Sequence, residues 1–176
     1  MSFRRLIAAL PLTCALALTG FAHADDVQVN YKYTQKPQVD FSKTSKGPLK
    51  VSAFTDKRSG AAANQIGDAT AEKSVVDIVN DALVQSLVAG GATLVEDGQN
   101  LTLEGEVVEV SVAEKDGNQE VTIRTHVTLR AGSRAAYDTV IFGRATGADV
   151  AEATRNALDK LVNSLILDDY FLNEVL

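Results

Sequence analysis

Few side chains in this sequence could do chemistry, and their spacing limits what that chemistry is. Asp56 and Arg58 sit two residues apart in the polar turn Thr55-Asp56-Lys57-Arg58-Ser59-Gly60. Such a pair can dock a partner or an anionic ligand. Its ordinary reading is a turn held by a side-chain cap and an ion pair. His126 shares a strand phase with Arg124 and Arg130. Together they form a modest basic strip that suits an acidic partner or a polysaccharide phosphate, against the plainer reading of a solvated strand face. Asp168 and Asp169 are adjacent. Paired carboxylates can bind a cation or move protons. No third ligand lies near them in sequence, so a solvated helix end is the simpler account. A lone histidine makes neither a triad nor a zinc site, which needs three or four ligands.

The sequence has no G-x-x-x-x-G-K-[ST], no G-x-G-x-x-G and no G-x-S-x-G. This inventory points to a protein that is not an enzyme and holds no metal or cofactor.

The elements that must position these residues centre on Leu101 to Arg144. This stretch reads as a meander of three antiparallel strands. Lys115-Asp116-Gly117-Asn118 is a hairpin turn, since Asp-Gly between two alternating runs is a strong hairpin signal. Ala131-Gly132-Ser133-Arg134 is a second turn, where Gly132 can take positive φ. Val121, Ile123, Thr125, Val127 and Leu129 fall on one face of the middle strand. Thr122, Arg124, His126, Thr128 and Arg130 fall on the other. A period of two marks one dry and one wet face. The first strand changes phase from Leu101, Leu103 and Val107 to Val108, Val110 and Val112. That predicts a bulge near Val107-Val108.

The first residues carry Arg4 and Arg5, an apolar run from Leu6 to Leu18, and Ala22-His23-Ala24. This is the pattern of a secretory signal peptide, and it predicts export with Asp25 as the first mature residue and no acyl group. The run is shorter than the roughly 20 residues that span a bilayer. The chain has one cysteine, Cys14. Pro11 and Thr13 depart from the lipobox that would make it a lipidated residue, so membrane association is expected only if it is lipidated. Net charge is −6, and loss of Arg4 and Arg5 with residues 1–24 takes it to −8. A surface so acidic argues against nucleic acid as a partner.

Residues 1–24 therefore read as a signal peptide, 25–48 as an N-terminal arm and linker, and 49–176 as one α+β domain. Asp25 to Thr34 alternates as a short edge strand or an extended arm. Leu49 to Phe54 is a strand. Ala61 to Thr70 has no period and reads as a long mobile loop. A helix is predicted over Glu72 to Ala89, stopped by Gly90-Gly91. Ala92 to Val95 reads as a short strand. A second helix begins near Asp149, where Asp149 and Glu152 resemble a capping box. The tail from Asp168 to Leu172 folds back through its aromatics. The expected fold is a mostly antiparallel sheet with the meander at its centre and two helices packed on one face.

The run Val51-Ser52-Ala53-Phe54-Thr55-Asp56-Lys57-Arg58, the helix ending in Gly-Gly, the Asp-Gly meander and the last helix running into Leu167-Asp168-Asp169 resemble the YajG-type bacterial envelope lipoproteins. More distantly, the plan resembles periplasmic domains of the curli-secretion and penicillin-binding-protein-activator type. The resemblance covers nearly all of the mature chain and brings no catalytic residues. It implies a periplasmic cell-envelope protein. The expected function is docking of another envelope protein, with a small-ligand or glycan carrier using the helix-sheet cleft as the alternative. Asp56, Arg58, Arg124, His126 and Arg130 are the candidate partner-binding residues. Reversing the charges of Asp56 and Arg58 is expected to leave the fold nearly unchanged.

Overall fold

The computed structural model describes residues 26–44 and 46–176. The signal peptide, its cleavage before Asp25 and the lipidation of Cys14 lie outside the described residues. The chain runs through β1 (Asp26–Val27), a 3-10 turn (Phe41–Lys43), β2 (Leu49–Val51), β3 (Thr55–Asp56), β4 (Gln65–Ile66), β5 (Ala69–Ala71) and α1 (Val75–Ala89). It continues through β6 (Leu101–Lys115), β7 (Asn118–Ala131), β8 (Arg134–Gly147), α2 (Val150–Ile166) and α3 (Asp169–Val175).

The meander forms where its turns and periodicity place it. Asp116 and Gly117 have φ of 52° and 77°, the backbone that lets a two-residue loop follow the right-handed twist of its strands. Gly132 has φ of 61° in the second loop. The register of β6 on β7 slips between Val107 and Glu109. The bulge leaves Val108 outside and keeps Val107 and Val110 turned toward the core.

The main sheet has the order β2-β6-β7-β8, with β3 also on β6. Both β2 and β3 run parallel to β6, so the sheet is mixed. A strand that returns through a helix before pairing with its neighbour comes back parallel, and α1 is that crossover. The dry face is covered by α1 and α2, as an α+β fold with two helices on one face requires. Leu83, Leu87, Leu103, Leu129, Leu158 and Leu161 are fully buried between them. The layer between helices and sheet is filled around these leucines, while an open cleft of about 400 Å³ lies at its margin between Arg144, Thr146, Asn156 and Lys160.

Three local expectations are corrected. Residues 61–70 are not a loose loop: β4 and β5 form a hairpin that also pairs with β1, and Ile66, Ala69 and Ala71 are buried. The first helix starts at Val75, because the Ser74 hydroxyl caps it by accepting from the Asp77 amide at 3.2 Å. Glu72 instead binds the backbone N–H groups of Val29 and Asn30, at 2.9 and 3.0 Å. Residues 92–95 make one bridge, Leu49 to Leu94, and no strand. The tail folds back as expected through Phe171, which is buried against Tyr137, while Tyr170 is exposed; it does so as a third helix, α3, whose cap is Asp168 and which also buries Val175. Between β1 and β2, Val29 and Phe41 join the same core as the sheet and helices.

The contact between α2 and the sheet is very close at β8. A side chain on Gly143 would place its Cβ 1.9 Å from the Ala157 carbonyl oxygen. The start of α2 is fixed by Asp149, which accepts from the Glu152 amide at 2.7 Å, while the Glu152 carboxylate accepts from the Ala148 amide at 2.7 Å.

Candidate functional site

Asp56 and Arg58 are brought together as a turn held by a side-chain cap, the Arg58 amide donating to Asp56 at 3.0 Å, and by an ion pair. The Arg58 side chain is 4 % exposed. Its Nε and Nη2 hold both carboxylate oxygens of Asp56 at 3.0 and 2.7 Å. Its remaining donors reach the carbonyls of Gln65 at 2.6 Å, Ala62 at 3.0 Å and Ala63 at 2.9 Å. The guanidinium thus fastens the loop leading into β4 to the end of β3. Hydrogen bonds from Arg58 hold the Asp56 carboxyl below the usual carboxylate range. The expectation of an exposed pair whose charges can be reversed freely is corrected here. The carbonyls come from the turn at Ala62 and Ala63 and from Gln65 at the start of β4, four to seven residues after Arg58.

Arg124, His126 and Arg130 do share the wet face of β7, and the neighbouring strands compensate them. Arg130 Nε lies 2.9 Å from Glu104 and Arg124 Nε lies 3.3 Å from Glu109. His126 Nε2 lies 2.7 Å from Asp138, and Nδ1 lies 3.7 Å from Glu106. Glu106 is also 3.7 Å from Lys57, and Asp138 accepts from the Thr128 hydroxyl at 3.2 Å. The expected basic strip is therefore a charge-balanced face, its cations each set beside a carboxylate. Sequence reasoning missed Glu104, Glu106, Glu109 and Asp138. They alternate with core residues on their strands, and that was the available signal.

These groups line an open groove of about 430 Å³ formed by Ser52, Thr55, Glu104, Glu106, His126, Thr128, Arg130 and Asp138 with Ala53 and Gly105. The groove exists because the chain steps away from β6 between β2 and β3. Phe54 turns inward there and fills the space over Gly105, where a Cβ would sit 2.2 Å from its ring. Asp168 and Asp169 lie apart from it, at the start of α3. Among the described residues no group of three or more histidine, cysteine, aspartate or glutamate side chains is arranged to hold a metal ion.

The His126 imidazole is held protonated above its ordinary 6.5, chiefly by its hydrogen bond to Asp138 and further by Glu106. A group whose folded value is raised adds stability in full below its unfolded value. That stability is lost as pH rises through the folded value. A ring-proton NMR titration should therefore give a His126 midpoint above 6.5. Asp138→Asn should bring it back down. A wild-type midpoint at or below the ordinary value would contradict the paired geometry.

The fold and this face define an α+β protein with one covered sheet face and one charge-balanced open face. Protein XCC0632 from Xanthomonas campestris, described under the family model DUF330, is similar in fold. It has a TM-score of 0.58 and 16 % identity, over 81 % of this chain and 93 % of that one. The hypothetical protein CT253 from Chlamydia trachomatis aligns with a TM-score of 0.48 and 10 % identity, over 74 % and 94 % of the two chains. Lipoprotein GNA1162 from Neisseria meningitidis aligns with a TM-score of 0.41 and 7 % identity, over 58 % and 85 %. No protein-family model matches the chain, and no curated protein matches it. Among the described residues no helix is long and apolar enough to cross a membrane.

Proposed function

We propose that this chain is a non-enzymatic periplasmic protein of the bacterial cell envelope, of the YajG-like type, that captures another envelope protein on its open sheet face. The observation that carries this reading is the pairing of His126. Both ring nitrogens face carboxylates, Asp138 at 2.7 Å and Glu106 at 3.7 Å, so the imidazole is set among acidic neighbours as part of a polar surface. The groove around it offers charges of both signs and the hydroxyl side chains of Ser52, Thr55 and Thr128. Such a surface fits a polar protein partner, recognised by charge arrangement rather than net charge. The signal-peptide pattern and the resemblance of the Phe54-Thr55-Asp56-Lys57-Arg58 turn support the location.

The test is a photo-crosslinking residue placed at Thr128, in the groove, and separately at the exposed Val88 of α1, in intact cells. A discrete protein adduct is expected from Thr128 and not from Val88. Arg130→Glu, which sets two carboxylates together, should reduce it about tenfold, the equivalent of 1.4 kcal/mol. Equal adducts from both positions, or none from Thr128, would refute the face as the capture site.

A further inference from the structure

The two edges of the main sheet are built differently. At one edge β2 and β3 are three and two residues long. They are interrupted at Ser52–Phe54, β2 carries Lys50, and Lys57 follows directly after β3. Short length, interruption and lysine are the devices that keep a sheet edge from pairing. At the other edge β8 runs for 14 residues. It has neither lysine nor proline, and no described strand lies beyond it.

The register says which backbone groups this edge presents. Ala131 and Arg134 close the two-residue loop and bond each other. Groups then alternate along an antiparallel strand, so Leu129, Val127, Thr125 and Ile123 turn toward β8 and meet Tyr137, Thr139, Ile141 and Gly143. The even-numbered residues from Asp138 to Thr146 therefore aim their N–H and C=O groups away from β7. The Asn156 side chain donates to the Thr146 carbonyl at 2.9 Å, as that direction requires. Val140 and Phe142 are 50 % and 58 % exposed on the wet face above this edge.

The exposed sequence is Asp138, Val140, Phe142, Arg144 at every second position. It is complementary to itself when reversed. In an antiparallel pair centred on Ile141, Asp138 lies opposite Arg144, and Val140 lies opposite Phe142. All four side chains are on one face, and all four backbones point across the junction. We propose that two copies of this chain pair through β8 in this register, joining their sheets across a two-fold axis. An extended segment of unrelated sequence would meet the same backbone groups. A second copy supplies the matching order of acid, apolar, apolar and base; Asp138 already holds His126 and Thr128, and Arg144 holds Glu120 at 2.5 Å, but both side chains stay more than half exposed and can extend those pairs across the junction. The pairing also buries Val140 and Phe142 against each other, where cross-strand apolar and opposite-charge pairs stabilise a sheet.

The test is sedimentation equilibrium of the protein purified from its cells, over a dilution series. The expected mass is that of two chains, dissociating on dilution. Val140→Pro removes an outward N–H without touching the bonds to β7, a position at which strands accept proline. It should raise the dissociation constant about tenfold or more, the equivalent of 1.4 kcal/mol, with the circular dichroism of the fold retained. If that variant fails to fold, Phe142→Lys gives the same reading through the side chain alone. A wild-type monomer at every concentration would overturn the proposal and leave the edge to a different partner. So would a mass above two chains, or a dimer that both folded variants retain.

Discussion

The Arg58→Ala variant should lose about 3 kcal/mol of unfolding free energy, the cost of opening a buried, fully bonded ion pair. Two effects combine. The Asp56 carboxylate loses the partner that binds both its oxygens, and the half-buried Gln65 carbonyl loses the Arg58 donor. The Ala62 and Ala63 carbonyls are exposed and keep the backbone N–H groups of Gln65 and Val75, so the uncompensated carboxylate is the more expensive part. Arg58→Lys should recover little, because an ammonium cannot hold a carboxylate and three carbonyls in one plane. Exchanging the two charges should not restore stability either, since a carboxylate at position 58 would face those carbonyls. Urea unfolding checks this: the midpoint should fall and the slope should stay the same. The Asp56 carboxyl titrates below its ordinary value in the folded chain, so its contribution is present above the unfolded value and is lost as pH falls through the folded one. An Arg58→Ala variant within about 0.5 kcal/mol of wild type would place the pair among ordinary surface contacts.

Gly143→Ala should cost about 3 kcal/mol, at the upper end of what overpacking does. A Cβ at this position would lie 1.9 Å from the Ala157 carbonyl oxygen and 2.6 Å from the Leu161 nitrogen. Both are backbone atoms of α2, so no side chain can rotate away. The helix itself must lift from β8, opening the layer around the buried Leu158 and Leu161. Gly132→Ala serves as the contrast. That glycine has nothing within 4 Å of its Cβ position but carries a φ of 61°. Its replacement pays only the left-handed backbone, about 1 to 2 kcal/mol. If the two variants unfold at the same urea concentration, the close helix–strand contact has no special weight.

What the sequence determines by itself is local. Asp116-Gly117 and Gly132 specify their turns because the required positive φ belongs to a pair of neighbouring residues. The phase change at Val107-Val108 specifies a bulge because apolar residues on both sides of it must reach the same core. Asp149 and Glu152 specify a helix start through bonds that span four residues. The wet phase of Arg124, His126 and Arg130 is equally legible.

Their charge environment is not legible in the same way, because it comes from other strands. Counting outward from the Lys115–Asn118 pair without a bulge puts Val107 opposite His126, whereas the slip puts Glu106 there. Asp138 reaches His126 only after a second slip, between Leu129 and Arg130. One residue of register converts a basic strip beside apolar neighbours into a neutral network. The same holds for Gly143, whose need for a bare backbone depends on where α2 lands. Turns, caps, strand phase and the partners of Arg58 are decided by residues a few positions apart. Which charges cancel on the open face and which glycine cannot change are decided by segments that meet only when the chain has folded.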